Sequence, residues 1–211
     1  MKNIIIVLFG LTMIHVASTS RIEAYVKTLA LQGALLFTMV IVDNLNHFSL
    51  NFLFLIVETL GFKTIIIPWF LMKIIRKNEI YREIEPSIPS FWSMVIASLI
   101  FTFGLTLAYV SILFAQDVKP LYFGISISTM ITGLFIIMSR KKIITHIMGY
   151  MMFENGIFLF TLSLINEMPL IVNLGVLLDV FIGIYLFGLF FNKIQSTYEK
   201  THIDTLTYLK D

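Results

Sequence analysis

The sequence predicts an all-α, polytopic membrane helix bundle of about seven transmembrane helices, with the N-terminus outside and the C-terminus in the cytoplasm. Three observations predict it. Of the 211 residues, 58% are hydrophobic and only 13% charged, whereas soluble domains carry roughly 25% charged residues. A chain of this length has no water-soluble core able to hide so much apolar surface, so its solvent is lipid. Apolar runs of about 18 residues or more recur along its length, and the basic residues fall in alternate loops. Disordered, nucleic-acid-binding and disulfide-scaffold classes are excluded by the same arithmetic.

The runs cover approximately 3–19, 24–42, 48–75, 91–114, 119–139, 143–165 and 169–192. The first, with Lys2 ahead of IIIVLFGLTMIHV and small residues Ala17 to Ser20 behind it, has the outline of a signal peptide. The second follows almost at once, as a polytopic chain requires. The third is too long for a straight span and contains Glu58, Lys63 and Pro68. Pro68 deprives the Thr64 carbonyl of its helical partner, which predicts a kink. The loop from Ile75 to Ser90 is the longest polar stretch. It divides the chain into a three-span unit (1–75), a cytoplasmic loop (76–90), a four-span unit (91–192) and a cytoplasmic tail (193–211). In the tail, residues 202–209 read as a short helix capped by Asp204.

Loop charges set the orientation. Arg21 and Lys27 follow the first run, Lys73, Arg76, Lys77 and Arg82 the third, Arg140, Lys141 and Lys142 the fifth, and Lys193, Lys200 and Lys210 the seventh. The opposite side carries only Lys2 and Lys119.

There is no cysteine, which excludes thiolate metal sites, iron–sulfur ligation and disulfides. His15, His47, His146 and His202 have no paired spacing, and there is no nucleotide loop. No catalytic, cofactor-binding or metal residue is therefore expected in the chain. The ionisable groups inside the spans carry the chemical interest, because each costs at least ~2.5–3.5 kcal/mol to insert. Glu58 lies ~15 Å into its run, Glu154 ~18 Å beyond Lys142 and Asp179 ~15 Å past Pro169, all near mid-membrane depth at helical rise. Lys63 stands five residues after Glu58, ~140° away around an α-helix, so the two are expected to face different neighbours. No basic residue lies near Glu154 or Asp179 in sequence, and lipid favours the neutral form of an acid without a cation. Glu154, Asp179, Lys63 and Glu58 are accordingly the proton-relay candidates, with polar links between helices as the structural alternative. Gly175 and Gly183 flank Asp179 at four residues on either side, and Gly149 and Gly156 share a face of the Glu154 helix beside Asn155. These glycines are read as helix-packing positions. The hydroxyls of Ser126, Ser128, Thr129 and Thr132 are expected to bond carbonyls of their own helix.

The block GLFIIMSRKKIITHIMGYMMFENGIFLF, with MPLIVNLGVLLDVFIGIYLFG and the tail HIDTLTYLKD, resembles the C-terminal half of the hydrogenase-4 component E family, itself similar to the three-helix K subunit of respiratory complex I. The G-Y-x-x-x-E-N-G element at Gly149–Gly156 and the L-D-x-x-x-G element at Leu178–Gly183 carry most of the match. In the N-terminal half, FKTIIIPWFLMKIIR resembles the family's third helix through Lys63 and Pro68. The resemblance implies a non-catalytic subunit of a group 4 energy-converting hydrogenase or formate-hydrogenlyase complex in the cell inner membrane. Its partners would be antiporter-like membrane subunits and a peripheral arm that carries the nickel–iron and iron–sulfur centres, with no cofactor in this chain. The resemblance also implies that Asp179 occupies the acidic position of the K-like last helix. Glu154 matches the component E motif and lies three residues after the position, here Met151, of the K subunit's other intramembrane glutamate. A multi-subunit cation/proton antiporter, whose C-type subunits share the K-like helices, and a purely structural scaffold are the competing readings.

Overall fold

Lipid offers the backbone no partner, so each apolar run must close its hydrogen bonds internally, and an α-helix does this for any apolar sequence long enough to span. In a computed structural model the described residues are 2–44, 50–77, 87–114 and 118–164, and all the elements they form are helical. These are α1 (Lys2–Ser18), α2 (Ile22–Asn44), α3 (Leu50–Ile56), a π-helical segment (Val57–Ile66), α4 (Ile67–Lys77), α5 (Ser90–Phe114), α6 (Pro120–Ser139) and α7 (Ile143–Leu164). Among the described residues four stretches are long and apolar enough to cross a membrane: Ile22–Asp43, Ser90–Leu113, Pro120–Ser139 and Ile143–Leu164. The run at 3–19 forms a shorter apolar helix, and the run at 48–75 forms α3, the π segment and α4 in unbroken succession. The expected seventh run, the tail helix, Asp179, Gly175 and Gly183 lie outside the described residues.

The helices on either side of the 76–90 loop pack together: α1 lies against α2, α5 and α6, and α2 against α7. Helix α7 is the most enclosed span, 67% buried, whereas α5 is only 22% buried and displays Phe91, Leu99, Tyr109 and Leu113. A large apolar side chain exposed on such a helix is at rest in hydrocarbon and needs no core. α6 opens with Pro120 at its first turn, where the missing N–H costs nothing. Its hydroxyls behave as expected: Ser126, Ser128, Thr129 and Thr132 each donate to a carbonyl three or four residues back.

Close backbone contact welds α6 to α7. A methyl group on Gly133 would lie 2.8 Å from the Gly149 carbonyl oxygen, and one on Gly149 would lie 3.0 Å from that of Gly133. One on Gly156 would come within 2.9 Å of the Met130 nitrogen. With no hydrophobic driving force between helices in lipid, such approach is what supplies packing energy.

Contacts at the helix ends gather the basic residues. At one end Arg140 Nη2 donates to the Ala17 and Thr19 carbonyls at 2.9 and 3.3 Å, Arg76 pairs with Glu23 at 3.9 Å, and the Ser87 amide bonds the Ser139 carbonyl. At the other end Asp43 holds both Lys2 (2.7 Å) and Lys119 (2.9 Å), joining α1, α2 and the start of α6. Arg140 counts by sequence as a loop charge, but it is only 3% exposed. The reason is local. Arg140 is the first extended residue after α6, and its side chain lies across the end of α1, whose last carbonyls have no helical partner and carry the negative end of the helix dipole.

Replacing Gly156 by Val should force α6 and α7 apart and destabilise the bundle by about 1–3 kcal/mol. The check is thermal unfolding in mild detergent, with Met138→Ala, at an 82% exposed position of α6, expected to unfold like the parent.

Candidate functional site

The third apolar run does not simply bend at its proline. The ten residues ahead of α4 wind with i→i+5 hydrogen bonds: the Ile67 N–H bonds the Phe62 carbonyl, and the Thr64 hydroxyl reaches the Thr59 carbonyl five residues back. The change of register thus falls just ahead of Pro68, where a kink in an α-helix is expected. In an α-helix Pro68 would orphan the Thr64 carbonyl; the chain ahead of it takes the i→i+5 register instead, and the Lys63 carbonyl lies on the side that meets α2. Gly33 of α2 packs there, since a methyl group on it would lie 2.9 Å from the Lys63 carbonyl carbon and oxygen and from Thr64 Oγ1. A side chain at this position would hold the two helices apart.

The same register changes which residues share a face. Glu58 and Lys63, well separated around an α-helix, draw nearer around the axis in the wider π turn. Lys63 Nζ lies 3.5 Å from Glu58 Oε1 and 3.2 Å from Glu154 Oε1 on α7. All three side chains are buried, at 2% exposure for Glu58, 5% for Lys63 and 4% for Glu154. The Phe158 ring, one turn beyond Glu154, stands 4.7 Å from the ammonium and adds a cation–π contact. The expectation that Glu58 and Lys63 face different neighbours thus gives way to a cluster in which two carboxylates flank one ammonium. Glu154 Oε2 is buried and has no hydrogen-bond partner among the described residues.

Beside this cluster runs a chain of neutral polar groups that sequence reasoning missed. Asn155 Nδ2 donates to Gln32 Oε1 at 3.3 Å, Gln32 Nε2 donates to Thr12 Oγ1 at 2.8 Å, and Thr12 donates to the Phe9 carbonyl at 2.6 Å. The chain crosses from α7 through α2 to α1, and Gln32 is wholly buried. A lone amide in the apolar run 24–42 was the available signal. Because each member is satisfied, the chain fixes the rotation of α7 and hence the direction of Glu154. Of the sequence candidates, Glu58, Lys63 and Glu154 are brought together, Pro68 is buried at the start of α4, and Gly149 and Gly156 lie on the α6–α7 contact. No group of three metal-ligating side chains occurs among the described residues.

The chain is 26% identical over 198 residues to an uncharacterized protein, Rv0085, of Mycobacterium tuberculosis, a match covering 90% of this chain and 87% of that one. It is 25% identical over 122 residues to hydrogenase-4 component E of Escherichia coli, and equally to that of Shigella flexneri, covering 58% of this chain and 56% of theirs. The likeness to hydrogenase-4 component E is therefore distant and spans about half the length of those proteins. No protein-family model and no solved structure matches the chain.

Removing the cation alone tests how the cluster is balanced. Lys63→Met leaves two buried carboxylates facing each other and should destabilise the protein by about 3–5 kcal/mol. Adding Glu154→Gln to Lys63→Met should recover a measurable part of that loss in detergent melting. Additive losses in the double variant would mean that the groups do not interact.

Proposed function

We propose that this chain is a non-redox, multi-pass inner-membrane subunit of an energy-converting hydrogenase-type complex, in which Glu58, Lys63 and Glu154 form a proton-handling site. The observation that carries the reading is the pair of carboxylates, from two separate parts of the chain, that share one buried ammonium. With both acids ionised the trio holds one negative charge in excess, and with one proton bound it is neutral. Two acids around one base make a charge count that a single proton changes between balanced and unbalanced, which is what a proton-handling site in a membrane requires. Glu154 Oε2, buried without a hydrogen-bond partner among the described residues, is the polar atom of the trio left open to a further contact. The distant likeness to hydrogenase-4 component E supports membership in a hydrogenase complex. Electron transfer would then take place in partner subunits holding nickel–iron and iron–sulfur centres, and antiporter-like partners would carry the ion onward. Asp179 is the further acid proposed for the same path.

The scaffold reading has its own support, because an ion pair linking two helices is also what a structural clamp looks like. Glu154→Gln separates them, since the amide keeps shape and hydrogen bonding while removing the titratable charge. In inverted membrane vesicles the relay reading expects proton pumping to fall to a small fraction of the parent's while the subunit remains at parental abundance. Full pumping would leave only the clamp. The orientation proposed is N-terminus outside and C-terminus cytoplasmic, supported by the gathering of Arg21, Arg76 and Arg140 at one end. A cytoplasm-specific reporter fused to Asp211 should be active, and a silent but stable fusion would reverse the topology.

A further inference from the structure

On the outer face of the bundle α1 and α2 diverge into a cleft of about 480 Å³, within the roughly 300–1,000 Å³ of small-molecule sites. Its walls are hydrocarbon: Leu8, Leu11, Leu31 and Leu35 run along it, the first three about half exposed. The threonine hydroxyls in the walls ask nothing of an occupant, because Thr12 donates to the Phe9 carbonyl and Thr28 to that of Ala24. One end differs. His15 and Lys27 line the cleft there, each exposed. His15 lies a turn before the end of α1 and Lys27 just over a turn into α2, which puts both toward the end where Arg21, Arg76 and Arg140 gather. A hydrocarbon channel that closes on a cation near the membrane interface is complementary to an amphiphile with an anionic head.

We propose that the α1–α2 cleft seats one anionic phospholipid, with an acyl chain along Leu8, Leu11, Leu31 and Leu35 and its phosphate held by Lys27 and His15. This inference stands on the cleft and does not depend on the proton-relay reading. The full-length protein, extracted in mild detergent and equilibrated with equal phosphatidylglycerol and phosphatidylethanolamine, tests it by native mass spectrometry. The parent should retain one phosphatidylglycerol in preference to phosphatidylethanolamine. Lys27→Gln with His15→Gln should cut that preference about fivefold or more, the worth of a basic residue at an anionic surface. Leu31→Trp, which fills the cleft but keeps both polar groups, should displace phosphatidylglycerol as well. Lys141→Gln, an exposed basic change at the same end, should alter nothing. Equal retention of the two lipids by the parent would overturn the proposal. So would undiminished phosphatidylglycerol in Leu31→Trp, which would put the lipid on the basic loops instead. Because the two lipids compete on one folded sample, loss of protein does not imitate either result.

Discussion

Lys63 carries its charge into the interior of the bundle, where its side chain is only 5% exposed. Its burial is tolerable only if anions are brought to it, and the bundle is arranged so that two are. Glu58 comes from the same run of chain by way of the π register, and Glu154 comes from α7, the most enclosed helix. Fixing Glu154 in turn requires α7 to hold one rotation, which the Asn155–Gln32–Thr12 chain enforces across α2 and α1. Fixing the π segment requires α2 to approach it closely, which Gly33 allows. The glycines of α6 and α7 and the Arg140 contact to the end of α1 then hold the remaining helices around this assembly.

The π segment is the most informative departure from regular structure. An i→i+5 ladder is rare and is found mostly as single turns at functional sites, yet here it extends over ten residues. Pro68 supplies a local cause, since the chain ahead of it must lose one hydrogen bond in any helical register. What the π register adds is the alignment of an acid with a base that an α-helix would have turned apart. The two together make a device that is costly by backbone standards and specific in what it positions.

The all-helical fold is legible in the sequence because lipid imposes a simple code: long apolar runs become helices. The buried charges are equally visible, since Glu58, Lys63 and Glu154 stand out in apolar surroundings. Their convergence is not legible, because an α-helical projection of Glu58 and Lys63 separates them and nothing local announces a change of register except Pro68. Gln32 is one amide in an apolar run and carries no mark of its role, and neither does Gly33, whose partner is a backbone carbonyl of another helix. Arg140 reads as a loop charge because a residue that lies next to a turn in sequence carries no mark of the helix end it covers. The Asp179 helix, read as the second acidic span, lies outside the described residues.

The account rests on one ammonium held between two carboxylates. The most direct measurement is a set of solid-state NMR nitrogen–carbon distances from Lys63 Nζ to the carboxyl carbons of Glu58 and Glu154 in lipid bilayers. The account predicts strong dipolar contacts to both acids in the same sample, in keeping with the 3.5 and 3.2 Å nitrogen–oxygen separations. A contact to Glu154 alone, with Glu58 out of range as a regular α-helix would place it, would contradict it.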